Sequence, residues 1–475
     1  MIDSIQEFNS IIPLIIIAGV ILVSVTVEMF TEKSEKTLAW ISIATFLVTG
    51  IYSITTVEKT GTTMQGMLAT GGIVNIFWFI FNISAAIVCL LSINYIIKYG
   101  SNFGEYYIII QTSVLGMMLI AGSKDLIMIF LGLEIMSIAF YVLAGFNRHS
   151  KSANEASLKY FLLGAFATGF IVYGIALIYG KATTTSIDTI TTDFSALSGN
   201  VLFLSGVLLF LIGFSFKIAA FPFHMWVPDV YQGSPTPVTG LFSTAGKAAG
   251  FGALIVTFST LFDGSEGHLF TPYLAAIAVF SMLYGSIVAI MQSDIKRMLA
   301  YSSIAHAGYM IIGLAAGNNL GVAGIIFYLA VYTFMNLASF GIIAIVEGKN
   351  ETNLDIDSYA GLGTRSPMIA ALLGLMMFAL AGIPPFGGFF GKYYVFIAAI
   401  NANLTWLAIV GIISSVISVY FYLRIVVVMY FKTSELHEKP VYSYSEIFAV
   451  IISVMLVIIL GLAPGSLIDL ITSFL

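Results

Sequence analysis

From Ile11 onward the chain is a succession of apolar runs, each about 17 to 25 residues long, the length a helix needs to cross a hydrocarbon layer of roughly 30 Å. That repetition decides the fold class. Of 475 residues, 59% are hydrophobic and only 9% charged, with a mean hydropathy of +1.01, against about 25% charged in ordinary globular chains. The chain reads as an all-α polytopic membrane protein. Fourteen spans are predicted: Ile11–Phe30, Leu38–Val57, Ile73–Ile97, Tyr106–Ala121, Leu126–Phe146, Leu158–Tyr179, Val201–Ala220, Val238–Leu261, Tyr273–Met291, Leu299–Ala315, Val322–Val346, Met368–Ile400 in two pieces, Leu404–Tyr430 and Ile447–Leu462. The connections are short, the longest polar one running from about Gly180 to Asn200. Nothing is left for an extramembrane domain.

The basic residues test this count, because Lys and Arg in short loops stay on the cytoplasmic side. Odd-numbered loops hold twelve of the nineteen: Lys33, Lys36, Lys98, Arg148, Lys151, Lys296, Arg297, Lys349, Arg365, Arg424, Lys432 and Lys439. Even-numbered loops hold only Lys59, Lys124 and Lys181, and the terminal tails hold none. The asymmetry predicts both termini on the outer (periplasmic) side. The other four, Lys159, Lys217, Lys247 and Lys392, fall within spans.

The net charge of -5 comes with no basic patch that would hold nucleic-acid phosphates. A single cysteine, Cys89, excludes a disulfide or a cysteine-ligated iron–sulfur site within the chain. The N-terminus has neither a basic leader nor a small-residue cleavage site, so its first apolar run is expected to be a retained span.

A lysine at mid-membrane costs about 2.5 to 3.5 kcal/mol on insertion scales, and an ionisable group there asks for a function. Snorkelling to the interface explains Lys159 best, near the predicted start of its span, and Lys217 less well. It explains Lys247 and Lys392 poorly. Glu134, in "DLIMIFLGLEIMSIAFYVLAGF", has no charge near it in sequence and must be protonated or paired, with Lys217 or Lys247 the natural partner. His306, in "LAYSSIAHAGYMIIGL", is either a satisfied core residue or a proton carrier. Burial disfavours an ammonium and a nearby carboxylate favours it, so a lysine whose partner approaches and withdraws can take up and release a proton. Ser243, Thr244, Tyr301, Ser302, Ser303, Thr333 and Asn336 are candidates to link such sites through water, or simply to bond neighbouring helices.

Two of the lysines stand beside interrupted helices. "FKIAAFPFHMWVP" breaks at Pro222, with His224 inside the break as a proton relay or a cap for the broken end. "LAGIPPFGGFFGKYYVF" breaks at Pro384, Pro385, Gly387 and Gly388. Irregular backbone at membrane depth persists only where protein or a wet cavity covers it. Breaks at corresponding places of two units mark ion-coupled transporters. Here both fall in the fourth helix of a five-span unit, in spans 7 and 12, and an odd span number inverts the second unit relative to the first. The expected division is residues 1–100 (three helices), 101–265 (first repeat, helices 4–8), 266–432 (inverted repeat, helices 9–13) and 433–475 (a last helix).

"FKIAAFPFHMWVPDVYQGSPTPVTGLFSTAGKAAGF", "ASLKYFLLGAFATGFIVYGIALIYG", "DIKRMLAYSSIAHAGYM" and "AGIPPFGGFFGKYYVF" together resemble the antiporter-like membrane subunits of respiratory complex I, over essentially the whole chain. The resemblance implies fourteen helices, two inverted five-helix repeats and a half-channel in each. It implies Glu134 and Lys217 as the coupled pair of the first half-channel, Lys247 as the connecting lysine and Lys392 as the lysine of the second, with His306 and Lys159 at positions the family also fills with polar residues. It implies proton translocation coupled to quinone reduction, with no cofactor or metal on this chain and NADH, FMN, iron–sulfur clusters and quinone on other subunits. The implied partners are a neighbouring antiporter-like subunit and small membrane subunits, in a bacterial cytoplasmic (inner) membrane. Two other readings stay open: a subunit of a multi-subunit Na+/H+ antiporter, and a scaffold whose buried charges only fix packing.

Overall fold

A computed structural model describes residues 7–98, 103–262, 269–348, 352–433 and 439–475, with the backbone alone at 259–262. Its principal helices are α1 (Ile12–Phe30), α2 (Glu35–Thr55), α3 (Gly72–Lys98), α4 (Glu105–Gly122), α5 (Leu126–Ala144), α6 (Lys151–Ala182), α7 (Val201–Lys217), α8 (Val227–Gly233), α9 (Thr236–Phe258), α10 (Thr271–Ile290), α11 (Ile295–Ala316), α12 (Asn319–Val346), α13 (Pro367–Ala381), α14 (Gly387–Asn401), α15 (Thr405–Phe431) and α16 (Tyr444–Leu462). Twelve of these, all but α7, α8, α13 and α14, are long and apolar enough to cross a membrane. In hydrocarbon a backbone satisfied within its own helix is the stable solution, and the sequence supplies the caps at several ends. Asp125, Ser150, Asn200, Asp294 and Asn318 each accept an N–H from the first turn of the helix they precede.

At the centre runs α12, buried from Gly321 to Ile345 and packed against α3, α9, α13, α14 and α16. A helix apolar all round belongs in such a place. Around it α6 lies along α7, α10 along α11, α4 along α5 and α2 along α3. Glycine lets some of these pairs approach closely: a Cβ on Gly174 would stand 2.7 Å from the Gly206 carbonyl, and one on Gly206 2.8 Å from the Gly174 carbonyl.

Both interruptions have a local cause. After α7 ends at Lys217, Ala219 takes a positive φ of 65° and Pro222 offers no N–H; the chain resumes as α8 at Val227. The Trp226 indole donates to the Phe216 carbonyl at 3.0 Å, adding a second donor beside the Ala219 N–H at the end of α7. At the second break α13 ends at Ala381, Gly382 caps it in the left-handed region at φ 85°, and Pro384 and Pro385 prevent continuation. Gly387 and Gly388 lie not in this gap but as the first two residues of α14, where lack of a Cβ lets α14 start hard against Ala379 and Val331. In α9, residues Phe242–Gly246 form a π turn directly before Lys247.

Several expectations need correction. The protein is mostly rather than entirely helical: Gly61–Thr63 pairs antiparallel with Leu68–Thr70 across a turn with positive φ at Met64, Gln65 and Gly66. The polar connection near Gly180–Asn200 contains two short helices that bury Ile187, Ile190, Phe194 and Leu197. Lys296, counted as a loop residue, is buried in the first turn of α11 and donates to the Ser234 carbonyl at 2.7 Å. Arg424 lies within α15 and donates to the Ile290 and Gln292 carbonyls at the end of α10, at 3.2 and 3.0 Å. Lys296 departs because α11 begins four residues before the strictly apolar window, whereas Arg424 already falls inside the predicted Leu404–Tyr430 span and is not a loop residue. Lys349, and the boundaries at 100/101 and 265/266, lie outside the described residues.

Candidate functional site

On α5, Glu134, Ser137 and Tyr141 recur at three- and four-residue spacing and so share one helix face. The Lys217 ammonium, at the last residue of α7, donates to Ser137 Oγ at 2.8 Å and to Tyr141 Oη at 3.4 Å, and lies 5.6 Å from the centroid of the Tyr141 ring. Glu134 is one turn away on that face. Its carboxylate accepts from Thr168 of α6 at 2.9 Å and is half-buried rather than enclosed. Among the described residues no ion pair joins Glu134 to a lysine, so the expected contact pair is replaced by two groups on one stripe, each held by hydroxyls.

Lys247 is buried, and its Nζ donates to both the carbonyl and the Oγ of Ser303 on α11, each at 2.5 Å. Tyr332 of α12 places its ring 5.4 Å from the same ammonium. One turn along α11, the buried His306 is held between two phenols, Nδ1 with Tyr328 at 2.8 Å and Nε2 with Tyr422 at 2.9 Å. Tyr422 in turn bonds Ser302. Lys392 of α14 donates to the Ala381 carbonyl at 2.9 Å and Ser415 Oγ at 2.8 Å, with the Tyr309 ring centroid 5.0 Å away. Tyr309 bonds Ser414, which bonds Ser286. Three buried ammonium groups are thus held by hydroxyls and carbonyls, without a carboxylate in contact among the described residues. Held this way, each keeps donors satisfied while no fixed counter-ion locks its proton in place.

A family model described as NADH:quinone oxidoreductase/Mrp antiporter, TM matches residues 123–418, the stretch that carries all of these groups except Tyr422. An NADH-quinone oxidoreductase subunit N of Trichlorobacter lovleyi is 43% identical over 432 residues, 90% of this chain and 88% of the relative. The chain belongs to the NADH-quinone oxidoreductase subunit N family. Subunit N 1 of Chloroherpeton thalassium is 41% identical over 98% of this chain and 97% of its own length. Among solved structures, a chain of respiratory complex I from Thermus thermophilus with bound aureothin superposes with a TM-score of 0.82 at 29% identity, covering 97% of this chain and 100% of that one. A chain of the Mrp complex from Dietzia sp. DQ12-45-1b superposes at 0.86 with 18% identity, covering 98% and 97%, a likeness of fold.

Within this subunit N fold, the remaining predicted site residues fall in different settings. Lys159 pairs with Glu155 and Asp229, both at 2.7 Å, with 41% of its side chain exposed. His224 is buried against Phe221 and Tyr284, and its Nδ1 has no hydrogen-bond partner among the described residues, so the side chain does not cap the broken helix. Of the linking residues, Ser302 and Ser303 enter the network, while Ser243, Thr244 and Asn336 bond carbonyls of their own helices. Tyr328, Tyr422, Ser137, Ser415 and Thr168 were not singled out from sequence. Their only signal is a hydroxyl at mid-span, which most helix-packing residues share.

Asp229 ties the α8 side of the first break to two helices, receiving Lys159 from α6 and Arg297 from α11, the latter at 2.6 Å. Burial alone would push its carboxyl up; the hydrogen bonds and charges of Lys159 and Arg297 outweigh that and hold it below the usual carboxylate range. A depressed carboxylate stabilises the fold above its unfolded pKa of about 3.9 and loses that contribution as pH falls through the folded value. Asp229→Asn is therefore expected to lower stability near neutrality by on the order of 1 kcal/mol, discounted for partial exposure, and to lose less than the parent below about pH 4. Thermal unfolding of the purified protein at pH 7 and pH 3.5 checks both; an unchanged neutral-pH midpoint rules the tether out.

Proposed function

We propose that the protein is a membrane-arm subunit of a proton-translocating NADH:quinone oxidoreductase, in which Glu134, Lys217, Lys247, His306 and Lys392 carry protons or charge between the two halves of the chain. The reading is carried by one observation: of the four buried lysines among the described residues, the three at or near a helix interruption have hydroxyl and carbonyl partners but no contacting carboxylate among those residues. Charges that merely fixed packing would be expected in closed ion pairs. Counting α7 as one span and α13 with α14 as another, beside the twelve long helices, gives fourteen spans and places the two breaks at the fourth helix of successive five-helix units. The division at 1–100, 101–265, 266–432 and 433–475, the inverted repeat and the outer location of both termini follow from that count and from the distribution of basic residues.

Quinone reduction on neighbouring subunits would shift Glu134 of α5 relative to Lys217 of α7, favouring or disfavouring the Lys217 ammonium. A proton released there passes toward Lys247, where the buried hydroxyl of Thr333, without a protein partner among the described residues, offers a position for a bridging water. The Ser302, Tyr422, His306 and Tyr328 chain and then Lys392 continue the line into the second half. His224 and Lys159 stand outside the line, as a buried imidazole whose Nδ1 has no hydrogen-bond partner among the described residues and a partly exposed ion pair. NADH, FMN, iron–sulfur clusters and quinone are assigned to other subunits, the neighbouring antiporter-like and small membrane subunits are the partners, and the membrane is the bacterial cytoplasmic (inner) one. Relatives named subunit N favour this reading over an independent Na+/H+ antiporter.

Neutralising Lys392 as Lys392→Met should leave NADH-dependent quinone reduction measurable in the assembled enzyme and lower the protons moved per electron. An unchanged proton-to-electron ratio would remove Lys392 from the path.

A further inference from the structure

Beyond Lys217 the chain turns back on α7, the Ala219 N–H donating to the Phe216 carbonyl at 3.1 Å and the Ala220 N–H to the Ser215 carbonyl at 2.8 Å. Phe221 follows, and its N–H finds no backbone carbonyl among the described residues. The next residue, Pro222, has no N–H to offer. At membrane depth a backbone donor without an acceptor is costly. The acceptor comes from elsewhere in the chain: Ser281 Oγ of α10, fully buried, receives the Phe221 N–H at 2.9 Å. That helix opens the second of the two proposed five-helix units, whereas Phe221 lies in the first.

The rings of α10 hold the same segment. Phe221 lies 5.3 Å from Phe280 and 5.6 Å from Tyr284 between ring centroids, and the His224 imidazole lies 4.7 Å from Tyr284. Phe280, Ser281 and Tyr284 fall on one side of α10 by their three- and four-residue spacing. Other groups of the same helix reach the surroundings of Lys392. The Met282 carbonyl accepts from Ser414 Oγ of α15 at 3.0 Å, and Ser286 Oγ bonds that hydroxyl at 2.9 Å. Ser414 also bonds Tyr309, whose ring centroid is 5.0 Å from Lys392 Nζ, and its chain neighbour Ser415 accepts from that ammonium at 2.8 Å. One short stretch of α10 therefore touches both the break beside Lys217 and the hydroxyls beside Lys392.

We propose that Ser281 is a positioning residue: by accepting the Phe221 N–H it ties the break after Lys217 to α10, so that movement of the break is passed through α10 to the hydroxyls that hold Lys392. Rigid helices and the hydrogen bonds anchored on them carry coupling of this kind. The tether rests on the reading of Lys217 and Lys392 as proton carriers, and adds a mechanical link beside the line of proton stations. Because Ser281 is neutral, losing it alters position and leaves every charge in place.

The test uses the assembled oxidoreductase carrying Ser281→Ala, Ser281→Thr or Ser281→Cys. Alanine removes the acceptor, threonine keeps a hydroxyl, and cysteine keeps the shape with a sulfur that accepts only weakly. Hydrogen–deuterium exchange, read from overlapping peptides that end on either side of Phe221, reports the bond itself; protons moved per electron in proteoliposomes report its consequence. With alanine, exchange at Phe221 should rise about tenfold, and the proton-to-electron ratio should fall while NADH-dependent quinone reduction persists. Threonine should restore both. Cysteine should follow alanine, and it carries the test if native gels show that the alanine enzyme does not assemble. Unchanged exchange at Phe221 overturns the tether. Faster exchange with an unchanged ratio overturns the positioning role, as does a lowered ratio in a threonine enzyme whose Phe221 exchanges as slowly as the parent's. Lys392→Met in the same preparations separates these failures from failure of the proton path. If it lowers the ratio and Ser281→Ala does not, the tether alone is wrong; if neither lowers it, the path is wrong and the tether with it.

Discussion

Lys217→Arg is expected to leave the oxidoreductase assembled and to slow proton-coupled turnover on the order of 100-fold, the lower range of what a positioned proton-transfer group contributes. Arginine keeps the positive charge and can still donate to Ser137 and Tyr141, but it does not release its proton in a protein. The substitution thus separates two roles that alanine would confound. If the ammonium only fixes the packing of α7 on α5, arginine should serve nearly as well; if its proton moves, it should not. Glu134→Gln is the companion variant, since an amide preserves the hydrogen bond from Thr168 and removes the carboxylate proposed to act on Lys217. Proton uptake by a pH-sensitive dye in proteoliposomes, scored beside subunit content on native gels, reads pumping and assembly separately. Normal pumping by an assembled Lys217→Arg enzyme would sink the proton-carrier role of Lys217.

The second large effect is expected far from any charge. Gly461, near the end of α16, lies against the second interruption so closely that a Cβ there would overlap the Pro385 carbonyl and crowd the Gly387 N–H and the Phe386 carbonyl carbon. These are backbone atoms of the segment joining α13 to α14 and cannot rotate aside. Gly461→Leu should therefore destabilise the protein by about 3 kcal/mol, the upper end for overpacking a tight contact. It should also displace Lys392 from the Ala381 carbonyl. Gly169→Leu on α6, where a Cβ meets nothing within 4 Å, is the matched control and should shift the thermal midpoint little. Equal midpoints for the two variants would mean that α16 does not brace the break.

The spans, the two proline interruptions and the intramembrane ionisable groups were legible because each leaves a signal in one dimension: a run of apolar residues, a residue without an N–H, a charge where none belongs. Partnerships were not. Nothing near Glu134 in sequence marks Thr168, which lies on the next helix, and Tyr422 meets His306 only because α15 packs beside α11. Lys296 looked like a loop residue because polar neighbours flank it, yet the Asp294 cap starts α11 before it and turns it inward to Ser234. Glu347 escaped notice for the same reason: it ends α12 beside a charged connection, and only the tertiary structure buries it under Thr236 and Tyr95. The small β-hairpin at Gly61–Thr63 and Leu68–Thr70 carries three residues per strand, too few for an alternating pattern to be distinctive.

The π turn ahead of Lys247 resets the angular phase of α9. An α-helix advances about 100° per residue, so one additional residue in a turn carries everything beyond it around the axis by about that angle. The face on which Lys247 meets Ser303 is consequently not the face a uniform 3.6-residue count from Thr236 would assign. Helical-wheel comparison of this protein with any chain lacking the extra residue would put equivalent-looking lysines on different sides of the helix, and their chemistry should be matched by phase rather than by distance from the helix start.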